Sequence, residues 1–146
     1  MPVIKPHGDA SRYQPIVKAA FVRRKGEYGL RWPGAVYDGE AAKMKYTENL
    51  NSTAKLLNIK LDIKELPLYS PDEADAWLQE VKAAHMDGII VLRPDRQEHA
   101  WPTAQKASET GIPLVVFSPL GTFSPETIRN RRRVRCWSLQ VPLWKT

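Results

Sequence analysis

The chain has 146 residues, 42% of them apolar and 26% charged, which suits one globular domain long enough to bury a core. A single cysteine, Cys136, excludes an intrachain disulfide, and no run of about 18 apolar residues exists to span a bilayer. Of the net charge of +6, the stretch from Gly121 onward, with six basic residues and one acid, carries +5, so the body is nearly neutral and the charge is a weak sign of a nucleic-acid-binding fold.

Residues 1–15 are polar and proline-rich and read as a flexible arm. They hold no apolar leader of the secretory kind, so the expected location is cytoplasmic. The apolar run from Ile16 to Val22 reads as a first, mostly buried strand that breaks at Arg23-Arg24-Lys25-Gly26. A long glycine-bearing loop follows to about Gly39; loops of this length often carry function. From Glu40 to about Leu57, Ala42, Tyr46, Leu50, Ala54 and Leu57 recur at steps of four and three, the stripe of an amphipathic helix.

Ile59, Leu61 and Ile63 alternate with Lys60, Asp62 and Lys64, which predicts a strand with one polar face near the sheet edge. Ser70-Pro71-Asp72-Glu73 is a helix start: Ser70 caps, Pro71 takes the first turn, and Glu73 reaches back to complete a capping box. The helix behind it places Ala74, Trp77, Leu78, Val81 and His85 on one face and stops at Asp87-Gly88. His85 is expected to pack quietly or to meet the helix dipole rather than bind a metal.

Ile89 to Leu92 is a third strand, broken at Arg93-Pro94. A third helix starts near Pro102, turns Ala104 and Ala107 inward, runs to Thr110 and ends at Gly111. Ile112 to Phe117 is a fourth strand closed by Ser118-Pro119. Strands alternating with helices imply right-handed crossovers and a parallel sheet. The expected fold is therefore a three-layer α/β domain, an open parallel sheet of order 2-1-3-4 with helices on both faces, flavodoxin-like or Rossmann-like. Its bounds are residues 16–122, and residues 123–146 form a basic tail.

Ligands of such sheets bind beyond the carboxyl ends of the strands where the order reverses, here between strands one and three. The bordering loops offer Arg23, Tyr28, Trp32, Arg93, Asp95, Arg96, His99, Ser118 and Thr122 as ligand-binding candidates. Aromatic rings can cover an apolar sugar face while Arg and Asp bond its rim, so the set suits a polar ligand rich in hydroxyls. His99, close to Asp95 and Glu98, has the reach for acid–base chemistry, although a loop histidine is more commonly just solvated.

Sharper chemistry is missing from the sequence. No G-x-G-x-x-G follows the first strand, and there is neither a phosphate loop nor a G-x-S-x-G nucleophile frame. His7, His85 and His99 lack metal-ligand spacing, so no metal site is expected and no cofactor is named. Cys136 reads as an incidental thiol.

Two stretches carry a family resemblance. Asp87-Gly88-Ile89-Ile90-Val91 and Thr110-Gly111-Ile112-Pro113-Leu114-Val115-Val116 resemble sugar-binding domains of the periplasmic-binding-protein type and the N-terminal flavodoxin-like domain of L-fucose and L-arabinose isomerases. Trp32-Pro33-Gly34 and Ser118-Pro119-Leu120-Gly121-Thr122 lean toward the isomerase relatives. The resemblance covers roughly residues 16–122 and implies a sugar- or polyol-binding domain. Those isomerases hold their metal-binding carboxylates and histidine in later domains, so the implied role is an isomerase-like fragment, not catalytically complete alone, and no catalytic residue transfers. Residues 123–146 depart from the family pattern, which implies a truncated or altered end.

The implied partners are a small sugar-like ligand and a second copy or a missing partner domain, with nucleic acid reached only through the tail and no membrane. The alternative is a non-catalytic interaction module that uses the basic tail, Arg131-Arg132-Arg133-Val134-Arg135, or a sheet edge to hold a protein or polyanion.

Overall fold

The computed structural model describes residues 8, 12–26, 38–94 and 98–118. Their element order is β1 (Ile16–Phe21), α1 (Gly39–Leu56), β2 (Lys60–Ile63), α2 (Pro71–Ala83), β3 (Gly88–Leu92), α3 (Ala100–Ser108) and β4 (Leu114–Phe117). All strand pairs are parallel, and the sheet order is β2-β1-β3-β4, as the alternation pattern predicts. The chain steps from β1 to β2 in one direction and from β2 to β3 to β4 in the other. Right-handed crossovers then put α1 on one face and α2 with α3 on the other.

Side-chain alternation sorts the core accordingly. Ala20, Val22, Ile89, Val91, Leu114 and Val116 pack with Trp77, Leu78 and Val81 of α2 and with Ala104 and Ala107 of α3. Ala19, Phe21 and Leu92 pack with Tyr46 and Leu50 of α1. Tyr46 meets Phe117 edge to face, with ring centroids 5.3 Å apart. β2 is the edge strand, with Leu61 and Ile63 turned to the α1 side and Lys60 and Asp62 away from it. No helix among the described residues is long and apolar enough to cross a membrane.

Several local signals act as read. Ser70 Oγ accepts from the Glu73 N–H at 3.2 Å, and Pro71 opens α2. Glu73 does reach back, but one residue further than a standard capping box, accepting the Tyr69 N–H at 2.6 Å. α2 stops sooner than expected. It ends at Ala83, and His85 lies beyond it, exposed, with φ of +47° in the left-handed position that closes a helix. His85 therefore belongs to no apolar stripe. Gly88, expected to stop the helix, instead begins β3; a Cβ there would touch Val17 Cγ2 at 3.4 Å. Leu57, placed on the α1 stripe, is the C-cap and is 45% exposed.

The last residues before β1 are tied to the sheet. Asp87 accepts from Tyr13 Oη at 2.5 Å and from the Ile16 N–H at 2.8 Å. These bonds hold the Asp87 carboxyl below the ordinary carboxylate value and push the Tyr13 phenol up. The Lys60 N–H donates to the Pro15 carbonyl, which extends the β1–β2 ladder backwards.

Candidate functional site

The carboxyl ends of β1 and β3 meet loops from three directions. Past Phe21, Val22 bridges in parallel to Leu68, so the chain after β2 lengthens the sheet locally. The Leu68 carbonyl accepts the Arg23 N–H at 3.1 Å and His99 Nε2–H at 3.1 Å. Both of its lone pairs are used, and β1, the β2–α2 connection and α3 are joined at one atom.

Arg23 is 6% exposed. Following Phe21 by two, it emerges on the α1 side of the sheet. Its guanidinium lies against Gly39, the first residue of α1; a Cβ on Gly39 would stand 2.2 Å from Arg23 Nη2. A side chain at this position would force the guanidinium to move. A cation at a helix N-terminus opposes the helix dipole, and two carboxylates offset it. Glu40 Oε1 accepts from Arg23 Nη1 at 2.5 Å. Asp38, the N-cap, accepts the Glu40 and Ala41 N–H groups at 3.0 and 2.9 Å, and its carbonyl accepts that of Ala42. Arg23 Nε is buried with no hydrogen-bond partner among the described residues.

Arg93 follows Leu92 and therefore emerges on the opposite, α3 side. Its guanidinium carbon lies 5.8 Å from the Trp101 ring centroid, a cation–π distance. Its N–H donates to the Phe117 carbonyl at 2.8 Å. The two arginines flank the reversal point from opposite faces of the sheet.

His99 corrects the expectation of a solvated loop histidine. It is buried at 7% exposure, and its ring pins the start of α3 to Leu68. Its carbonyl accepts both the N–H and the hydroxyl of Thr103, at 2.9 and 2.7 Å. His99 therefore positions α3. Ser118 follows β4 directly and is half-buried. Tyr28, Trp32, Asp95, Arg96 and Thr122 lie outside the described residues.

Sequence reasoning missed Gly39, Glu40 and the Leu68 carbonyl. Asp38-Gly39-Glu40 did carry a readable signal, an N-cap aspartate ahead of an apolar stripe. No sequence signal marks a backbone carbonyl as an acceptor.

Among the described residues, no group of three His, Cys, Asp or Glu side chains is placed to hold a metal ion. The groups at the carboxyl ends of the strands are donors and acceptors in near balance, Arg23 with Glu40 and Asp38 on one face, Arg93 by Trp101 on the other, and Ser118 after β4. Such a set can orient hydroxyl groups, each of which donates and accepts. No protein-family model matches this chain, and neither a curated protein nor a solved structure matches it.

Proposed function

We propose that the chain is a sugar- or polyol-binding α/β domain, related to the sugar isomerases, that seats its ligand beyond β1 and β3. The observation that carries this reading is the state of the α1 N-terminus. A phosphate would use the free N–H groups there, but Asp38 already accepts two of them. Glu40 likewise occupies Arg23. A carboxylate or phosphate would have to displace a resident carboxylate, whereas a neutral hydroxyl can donate to Glu40 or Asp38 and leave both in place. The charge balance thus favours a neutral polyol over an anion.

The test is thermal melting against a monosaccharide and polyol panel with phosphate esters as a control arm. A ligand at about 100 times its Kd stabilises the folded state by about 2.7 kcal/mol, a shift of several degrees. Arg23→Met is expected to abolish the shift. A flat response to every neutral sugar, or a response to phosphate esters alone, would reject the reading.

A second reading is favoured by a different observation. On the α1 side, Val115 of β4 is 41% exposed and Ile90 and Phe117 are half-buried, an apolar strip that a protein partner could cover. It predicts concentration-dependent association that Val115→Asp prevents.

A further inference from the structure

A separate charged pocket lies at the carboxyl end of the edge strand β2, between that strand and α2. It is an open depression of about 450 Å³, lined by Lys18, Asp62, Lys64, Glu65, Trp77 and Glu80, among others. Lys18 is the anomaly. It interrupts an otherwise apolar strand, pairs across the sheet with Asp62, and leaves only 16% of its side chain exposed.

Burying an ammonium calls for close partners. Among the described residues the ion-pair partners of Lys18 Nζ are distant: Asp62 Oδ2 at 3.5 Å and Glu80 Oε2 at 3.9 Å. Lys64 stands 3.5 Å from the other Glu80 oxygen. All three separations exceed ordinary hydrogen-bond length. The more exposed pair Lys106–Asp75, by contrast, closes to 2.6 and 2.7 Å.

The charges are ordered by depth. The ammonium of Lys18 is deepest, Lys64 is 35% exposed, and the carboxylates of Glu80 and Asp62 sit at the rim at 52% and 58%. Glu65 adds a third exposed carboxylate. A simple anion is repelled by this rim, and a simple cation by the floor. A molecule carrying both signs on neighbouring atoms satisfies each layer.

We propose that this pocket binds a small zwitterion bearing an ammonium and a carboxylate, of the α-amino-acid class, with its carboxylate on Lys18 and Lys64 and its ammonium among Asp62, Glu65 and Glu80. The site is independent of the polyol reading. The experiment is calorimetric titration of the full chain with glycine, and with acetate, methylammonium and glycerol as arms carrying one feature each. Glycine is expected to bind, and each of the other probes to bind at least about tenfold more weakly, the loss of one charge-assisted contact.

Lys18→Met and Glu80→Gln are each expected to weaken glycine about tenfold or more, with melting followed in parallel to show that each variant is folded. Glu80 is half exposed, so Glu80→Gln remains a fair test if Lys18→Met fails to fold. Arg23→Met is expected to leave glycine binding intact, which separates this site from the polyol site. Absence of glycine binding by the folded chain would overturn the proposal. So would glycerol binding as tightly as glycine, or Lys18→Met binding like the parent.

Discussion

The two faces of this sheet are built to different standards. On the α2 and α3 side, Ile89, Val91, Leu114 and Val116 are all buried to 8% exposure or less. On the α1 side, one helix covers Ala19, Phe21 and Leu92, while Val115 on β4 is 41% exposed. Parallel sheets normally bury both faces, because the crossovers lay helices over each. The difference teaches where stability and accessibility reside. The doubly covered side is the packed core, and the other side carries the Arg23–Gly39 contact and the open strip.

Substitutions can break this contrast. The largest effect is expected from Trp77→Ala, which empties the biggest buried side chain on the packed face. Destabilisation of about 3–5 kcal/mol should follow in denaturant melts. A small effect would mean that α2 does not anchor that face.

Next is Gly39→Ala. The added Cβ would collide with the Arg23 guanidinium and push it from α1, costing about 1–3 kcal/mol. Restoration by the double variant Gly39→Ala with Arg23→Met would sharpen the assignment to that contact.

At the amino end of the sheet, acid titration tests the Asp87 latch. Its carboxyl is held below the ordinary 3.8 by the Ile16 N–H and the Tyr13 hydroxyl. The folded state therefore gains stability above 3.8 and loses it as pH falls through the lowered folded value. Asp87→Asn should flatten that acid limb. The Tyr13 phenol runs the other way: raised above 10.0, chiefly by its bond to Asp87, it contributes below 10.0 and loses its contribution as pH climbs through the folded value.

The smallest effect is expected at Val115→Ala on the open face, within about 1 kcal/mol, because much of that side chain remains in solvent. A loss matching Trp77→Ala would show that something covers this face in solution.

Much of this architecture was legible because periodicity is a local property. The alternation Lys60-Leu61-Asp62-Ile63 marks a strand with one wet face, and β2 is the edge strand. Ser70-Pro71 marks the start of α2 to the residue. The site was less legible. Arg23, Arg93, His99 and Ser118 all stand at the carboxyl ends of strands or at the start of α3, as strand boundaries imply. Their roles were not readable. A loop histidine looks solvated until a carbonyl 31 positions earlier in the chain is found to hold it.

The sequence by itself thus determined the element order, the parallel sheet and its 2-1-3-4 arrangement, since strand and helix periods and crossover handedness follow from local backbone chemistry. Only the tertiary structure decided that Arg23 and Arg93 emerge on opposite faces, that Gly39 makes room for a guanidinium, and that Lys18 sits beneath a rim of carboxylates. Those outcomes depend on register between distant segments, where a shift of one residue would turn every side chain to the other face.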